Sequence, residues 1–310
     1  MVSAIVSMAV VGVVVGCRSA VEIESGSAAA GARQGSSPNP TTTAVSDSAL
    51  DVERGATAID DAPSERTSVP SPAITTPRPP WLGTRTIPTD GNGRGLVVET
   101  PPELIDRRFS TVDTLPPPPD DSFQATSRIL AAATDALAQS TWTDVCPVPP
   151  EELAHLTVSF WGFDGRSHTG ELIVASAVAD DIVSVFETLH RDRFPIEEMR
   201  IVTPADLDAP PTGDTNNSGG YVCRAVTGGT AFSEHAKGLA LDINPFQNPY
   251  VRGDRILPEQ ATAYTDRALD LPGMIRPDDV VVRAFAAIGW TWGGHWTSLK
   301  DYQHFSATGR

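Results

Sequence analysis

The stretch Ser233–Pro245, SEHAKGLALDINP, sets a histidine, His235, seven residues before a lone carboxylate, Asp242, in an otherwise apolar run. Read as a strand, Leu239, Leu241 and Ile243 share one face, and Ala240 and Asp242 share the other, because side chains alternate along an extended chain. Asp242 therefore need not enter the core and can face a cleft. His235 lies before Gly238, on the turn leading into that strand. A turn histidine and a strand carboxylate can converge on one point. An isolated pair of this kind also serves as a structural hydrogen bond, so the rest of the chain has to decide between the two readings.

The far end raises the odds. Asp301-Tyr302-Gln303-His304-Phe305 places a second histidine beside a second carboxylate. Two histidines and an aspartate are suitable zinc ligands that leave a fourth position for water, as a catalytic zinc requires. Asp301 would then be free for proton transfer. In a straight strand, residues three apart face opposite sides. A turn must therefore precede the strand at Asp301 if Asp301 and His304 are to face one metal.

Taken in order and spacing, SEHAKGLALD, WGGHW and DYQHF resemble the zinc D-alanyl-D-alanine carboxypeptidases and L-alanyl-D-glutamate endopeptidases that cut peptidoglycan stem peptides. CPVP, FPIEEMRIV, CRAVTGG, DINPFQNPYV, PGMI and GWTWGG extend the resemblance over residues 145–310. The resemblance implies Zn2+ held by His235, Asp242 and His304, with Asp301 as acid/base and Arg224 facing the scissile carbonyl. It also implies the small α+β zinc fold shared with the hedgehog signalling domain. Three positions depart from the pattern: Lys237 stands where relatives often carry an aromatic residue, His295 where they often carry an acidic one, and NNSGGYV before Arg224 is looser than the Asn-Thr-Ser-rich version expected. These leave the metal triad untouched and bear on the substrate.

The chain has 310 residues, a formal charge of −16 and a pI near 4.7, with lysine only at 237 and 300. No basic patch suggests a nucleic-acid partner. Residues 1–16 are apolar apart from two serines, and Val14-Val15-Gly16-Cys17 resembles a lipobox. The expectation is a lipoprotein-type signal at 1–16 and membrane attachment through lipid on Cys17; a plain secretory signal or a short uncleaved anchor stays open. The exported protein would face the cell wall or be secreted, as a monomer. Cys146 and Cys223 then remain, as one disulfide or as two free thiols.

Between Ser36 and Pro119 lie 15 of the 27 prolines, so 17–122 reads as a disordered tether ahead of a peptidase domain at 123–310. In that domain the sequence predicts a helix over Ser127–Ala138 and two strands joined at Asp164-Gly165. A helix opened by Asp180 and a strand at 199–204 follow. A last helix opens at Asp278-Asp279 and stops at Gly289. The mixture lacks a regular βαβ alternation and favours α+β. His155, His168 and His190 read as structural or surface residues. Trp290, Trp292 and Trp296 divide between core and cleft wall. Two other readings compete with the peptidoglycan peptidase: a non-enzymatic wall-binding module retaining a structural zinc, and a peptidase on another peptide.

Overall fold

The computed structural model describes residues 75–226 and 228–310. The signal segment, Cys17 and the tether up to residue 74 lie outside the described residues. From the N-terminal side, helix α1 (Pro102–Ile105) precedes strand β1 (Ala125–Ile129) and helix α2 (Thr134–Gln139). The hairpin of β2 (Leu153–Trp161) and β3 (Ser167–Ala175) leads to helix α3 (Ala179–Arg191). Short strands β4 (Glu198–Met199) and β5 (Asn217–Ser218) flank helix α4 (Pro204–Asp208). Then come β6 (Ala240–Asp242), β7 (Tyr250–Arg252), β8 (Arg255–Leu257), helix α5 (Val280–Ala287), β9 (Thr291–Trp292), β10 (Lys300–Asp301) and β11 (His304–Ser306). The strands form three antiparallel sheets, ordered β1-β2-β3, β6-β11-β9 and β10-β7-β8, and one parallel pair, β4-β5. The fold is α+β.

The hairpin forms as its alternation predicts. Leu156, Val158 and Phe160 of β2 face the core with Leu172 and Val174 of β3. Gly165, at φ +73°, makes the turn between them. On α3, Ile182, Val185, Phe186 and Leu189 form one buried stripe at helical spacing against that face. Asp180 and Asp181 sit in its first turn without a capping hydrogen bond, where the helix dipole favours negative charge. Asp279 does cap α5, its carboxylate accepting from the amides of Val281 (2.9 Å) and Val282 (3.1 Å). Leu241 and Ile243 reach the same core, as the alternation predicts.

Two local expectations change. Ser127–Ile129 pair with Ala154–Leu156 in β1, and the helix starts only at Thr134. The open edge of β2 offers backbone partners, and the Thr126–Thr157 hydroxyl contact at 2.7 Å adds a cross-strand pair. Of the strand expected at 199–204, only Met199 is extended in a ladder, because Thr203 and Asp206 form a capping box that starts α4 at Pro204.

The larger correction concerns the tether. Residues 75–122 pack on the domain as a strap. Leu104 and Phe109 are fully buried, in a cluster with Phe246, Ala261, Tyr264 and Met274. Proline-rich composition concealed these few anchors. The domain boundary at Phe123 therefore moves back, to residue 75 or earlier. A chain beginning at Phe123 is expected to be less stable than one beginning at Thr75, and Phe109→Ala should lower the unfolding free energy by about 3–5 kcal/mol. Denaturant melts of both fragments and the variant check this; equal midpoints would return the strap to the status of a tether.

Candidate metal centre

Ser233 begins the turn that presents the first histidine. Its hydroxyl accepts from the His235 amide at 3.3 Å, opening a 3-10 turn over Glu234–Lys237. Gly238 ends that turn at φ +69°, where a Cβ would lie 2.3 Å from the Ala175 nitrogen. Only glycine fits there, which explains its place between the histidine and the strand. His235 Nδ1 donates to the Gly220 carbonyl at 2.6 Å, so Nε2 presents its lone pair to the cleft.

Asp242 closes β6, and the β6–β11 register sets it directly opposite His304. His304 Nε2 donates to the carbonyl of Arg310 at 2.9 Å, which turns Nδ1 toward Asp242. Asp242 Oδ1 lies 3.0 Å from His304 Nδ1 and 3.3 Å from His235 Nε2, and the two ring nitrogens are 3.2 Å apart. A tetrahedral centre with bonds of about 2.0–2.1 Å separates its ligands by about 3.3 Å. The three donor atoms thus already have the mutual spacing of a tetrahedral face. They are buried or half-buried and could hold a metal ion. Each histidine also has its other nitrogen fixed by a backbone carbonyl, the support a metal-binding imidazole requires.

Asp301 reaches the same place by another route. It ends β10, which pairs with β7, whereas His304 opens β11, which pairs with β6. The break from a straight strand that the two residues require falls at Tyr302-Gln303, between Asp301 and His304. The tryptophan-rich segment holds that bend: Trp292 Nε1 donates to the Tyr302 carbonyl at 2.7 Å. A Cβ on Gly293 would sit 2.6 Å from the Asp301 carbonyl oxygen, so this glycine permits the close pass. Asp301 Oδ1 is buried without a hydrogen-bond partner among the described residues. An oxygen left so in a cleft beside three convergent donors suits a site that takes up a further group.

Burial, reinforced by the negative charge of Asp242, raises the Asp301 carboxyl to about 7. Burial would raise Asp242 too, but the charges and hydrogen bonds of His235 and His304 overcome it and hold that carboxyl well below the usual range. For His304, burial opposes the charged ring, yet the Asp242 carboxylate outweighs it and raises the ring to about 9. One carboxylate held ionised beside another pushed up is a pattern that separates acid from base roles.

Arg224 lines the same cleft, of about 910 Å³. Its guanidinium donates to the Ala225 carbonyl at 3.3 Å and has no ion pair among the described residues. The Arg224 carbonyl accepts from the Ser233 amide at 3.0 Å, which ties the arginine run to the His235 turn. Cys223 beside it is bonded to Cys146. His295 stands exposed on the cleft wall, edge-on to Trp292 at 5.1 Å. Trp290 and Trp292 are core, while Trp296 lines the cleft and packs on His304 at 5.5 Å. His155, His168 and His190 stay away from the centre, bonded to Glu171, to Asp113 and Asp164, and to Ser167.

Sequence reasoning missed the Glu234–Lys237 pair, joined at 2.7 Å in the cleft wall, although both residues stand in the opening stretch. Their flanking of His235 was the available signal. The Gly220 and Arg310 carbonyls were not readable, since backbone groups carry no residue signature.

An α+β domain whose cleft holds a His–Asp–His donor set beside a raised carboxyl and an arginine is built for hydrolytic chemistry. Residues 227–307 match the family model described as D-alanyl-D-alanine carboxypeptidase. That match supports the peptidase family that the sequence motifs resemble. No curated protein and no solved structure matches the chain.

In the metal-free protein at neutral pH, His304 carries a proton that an incoming cation must displace. Its raised value means that this proton is held below pH about 9 and lost above it. Apparent affinity for a divalent metal ion should therefore rise about tenfold per pH unit from neutrality to pH about 9, then level off. Calorimetry in buffers of different ionisation enthalpy should count at least one proton released per ion at pH 7. Zero protons released would show that His304 is not a ligand.

Proposed function

We propose that the protein is a zinc-dependent peptidase of the D-alanyl-D-alanine carboxypeptidase or L-alanyl-D-glutamate endopeptidase type, acting on peptidoglycan stem peptides as an exported monomer. The observation that carries this reading is the triangle of His235 Nε2, Asp242 Oδ1 and His304 Nδ1, with edges of 3.0–3.3 Å, inside the segment that matches the family model. In this reading the domain has the hedgehog-type zinc fold, and lipid on Cys17 would hold the enzyme beside the wall.

His235, Asp242 and His304 would hold the zinc ion, which when bound lowers the pKa of water and polarises a carbonyl. The chain's own residues do the rest. Asp301 takes a proton from the attacking water at its carboxylate and passes it to the leaving amine nitrogen. A carboxyl raised to about 7 is poised for both transfers near neutral pH. Arg224, with no carboxylate of the described residues paired to it, meets the negative charge that develops on the carbonyl oxygen. Trp296 shields the His304 ring from water on the cleft side.

The alternative is a wall-binding module with a structural zinc. Structural sites are closed by four protein ligands, whereas the cluster here contains three, with Asp301 outside it. Paired substitutions separate the two readings. His304→Ala should lose zinc and activity together. Asp301→Asn should keep close to one zinc per chain and lose turnover by about 10²–10⁴-fold. Atomic emission measures the metal, and mass spectrometry of muropeptides measures the cleavage. An active Asp301→Asn enzyme would remove the acid/base role. Loss of zinc from Asp301→Asn as complete as from His304→Ala would make Asp301 a fourth ligand and favour the structural module.

A further inference from the structure

The chain after Asp242 runs as Ile243-Asn244-Pro245-Phe246-Gln247-Asn248, and it is gripped by residues outside the segment that matches the family model. Asn244 holds the left-handed conformation at φ +44°, which asparagine tolerates better than most residues and which its surroundings fix here. Asn244 Oδ1 accepts from the Glu197 amide at 3.2 Å, Nδ2 donates to the Pro195 carbonyl at 2.8 Å, and its own amide donates to Ser218 Oγ at 3.0 Å. The Phe246 amide donates to Asn216 Oδ1 at 2.8 Å, and Asn216 Nδ2 donates to Glu197 Oε2, also at 2.8 Å.

Glu197 thus stands at the node of this network, and it is 1% exposed. Its charge is met by two arginines of the strap, Arg78 at 3.6 Å from a half-exposed position and, more closely, Arg107. Arg107 Nε and Nη2 donate to the two Glu197 oxygens at 2.8 and 2.9 Å. Arg107 also touches the loop directly. Its guanidinium lies 4.5 Å from the centre of the Phe246 ring, and its carbonyl accepts from Gln247 Nε2 at 3.0 Å. Arg107, like Glu197, is buried.

We propose that Arg107 is a positioning residue for the metal centre, acting through Glu197 and Asn244 on Asp242, so that docking of the strap and binding of the metal are linked. The proposal rests on the reading of His235, Asp242 and His304 as metal ligands. Asp242 must hold one oxygen within 3.3 Å of two ring nitrogens, so small shifts of its backbone spoil the donor triangle. The backbone is set by the β6–β11 register on one side, by paired hydrogen bonds with Gly219 (2.9 and 3.0 Å) on the other, and at the exit of the strand by Asn244, two residues on. Without Arg107, the buried Glu197 carboxylate loses its bidentate partner and is left to Asn216 and the longer Arg78 contact, so it must turn toward them or draw in water. The hold on the Asn244 turn is then loosened. Outer partners that orient a ligand in this way are worth 10–100-fold in metal affinity. Linkage is reciprocal, so bound metal must also hold the strap down.

The test uses the full chain and zinc alone. Zinc affinity is measured by chelator competition, well below each variant's unfolding transition. Arg107→Met and Asn244→Gly, which keeps the left-handed turn but loses the grip on Glu197 and Pro195, should each bind zinc ten or more times more weakly than the unsubstituted protein. Leu130→Ala, a destabilising change in a separate buried cluster, should leave the affinity unchanged. A general loss of stability would not produce that split. In the unsubstituted protein, zinc should slow amide exchange over residues 104–109. If Arg107→Met does not fold, Asn244→Gly and the exchange experiment decide. Unchanged affinity in the folded variants, or exchange in the strap indifferent to zinc, overturns the proposal. Failure of the unsubstituted protein to bind zinc would instead sink the metal reading, and this proposal with it.

Discussion

Three lone pairs held about 3 Å apart repel one another unless a positive charge sits among them. This is the constraint on which the site is built. In the metal-free protein a proton on His304 supplies that charge, and the raised ring and depressed Asp242 carboxyl are its two sides. A metal ion would supply it more strongly. Holding donors this close against their repulsion requires fixed backbone on every side. The β6–β11 register, the carbonyls of Gly220 and Arg310, and the turn ended by Gly238 provide it. One small sheet brings Asp242 and His304 together, a second carries Asp301, and the 3-10 turn supplies His235.

The charge of the molecule is distributed against its average. The chain carries −16, yet Arg224, Lys237 and Arg252 all line the cleft. The carboxylates that face them there are Glu234, which is tied to Lys237, and the two of the centre itself. The cleft is thus close to balanced in charge, while the chain as a whole is strongly acidic. Such a pattern is invisible in net charge, because the residues responsible lie far apart in the chain.

Legibility followed the range of the interaction. The hairpin, α3 and α5 declared themselves, since alternation, helical spacing and the Asp279 cap are local. The convergence of His235, Asp242 and His304 was legible too, because the stretch around His235 and Asp242 is short and the one around His304 is shorter still. Asp301 does lie beside the centre, and a break in the chain between it and His304 was expected, but not its place or its consequence for the sheets. A two-residue bend puts Asp301 and His304 in different sheets, and nothing in DYQHF marks where the chain turns. The strap was misread because composition averages over a hundred residues, while docking depends on a few: Leu104, Arg107 and Phe109. Arg107 finds Glu197 across 90 positions, a pairing that no periodicity could expose. Ser127–Ile129 show the same effect on a small scale, where a free strand edge outweighed a helical pattern.

The disulfide divides the chain in a way that bears on the unfolded state. Cys146 and Cys223 are 77 residues apart, and the loop they close contains β2, β3 and α3. His235, Asp242, Asp301 and His304 all lie beyond it, on an open tail that begins at Arg224. By chain entropy alone, closure of such a loop removes about 4–5 kcal/mol of freedom from the denatured ensemble. That constraint falls on the half of the core that the site is laid upon, and not on the site-bearing segment. Under oxidising conditions the hairpin and α3 are pre-gathered, and the tail has a platform to fold against. Under reducing conditions the platform must be assembled from a fully open chain before any ligand can be placed.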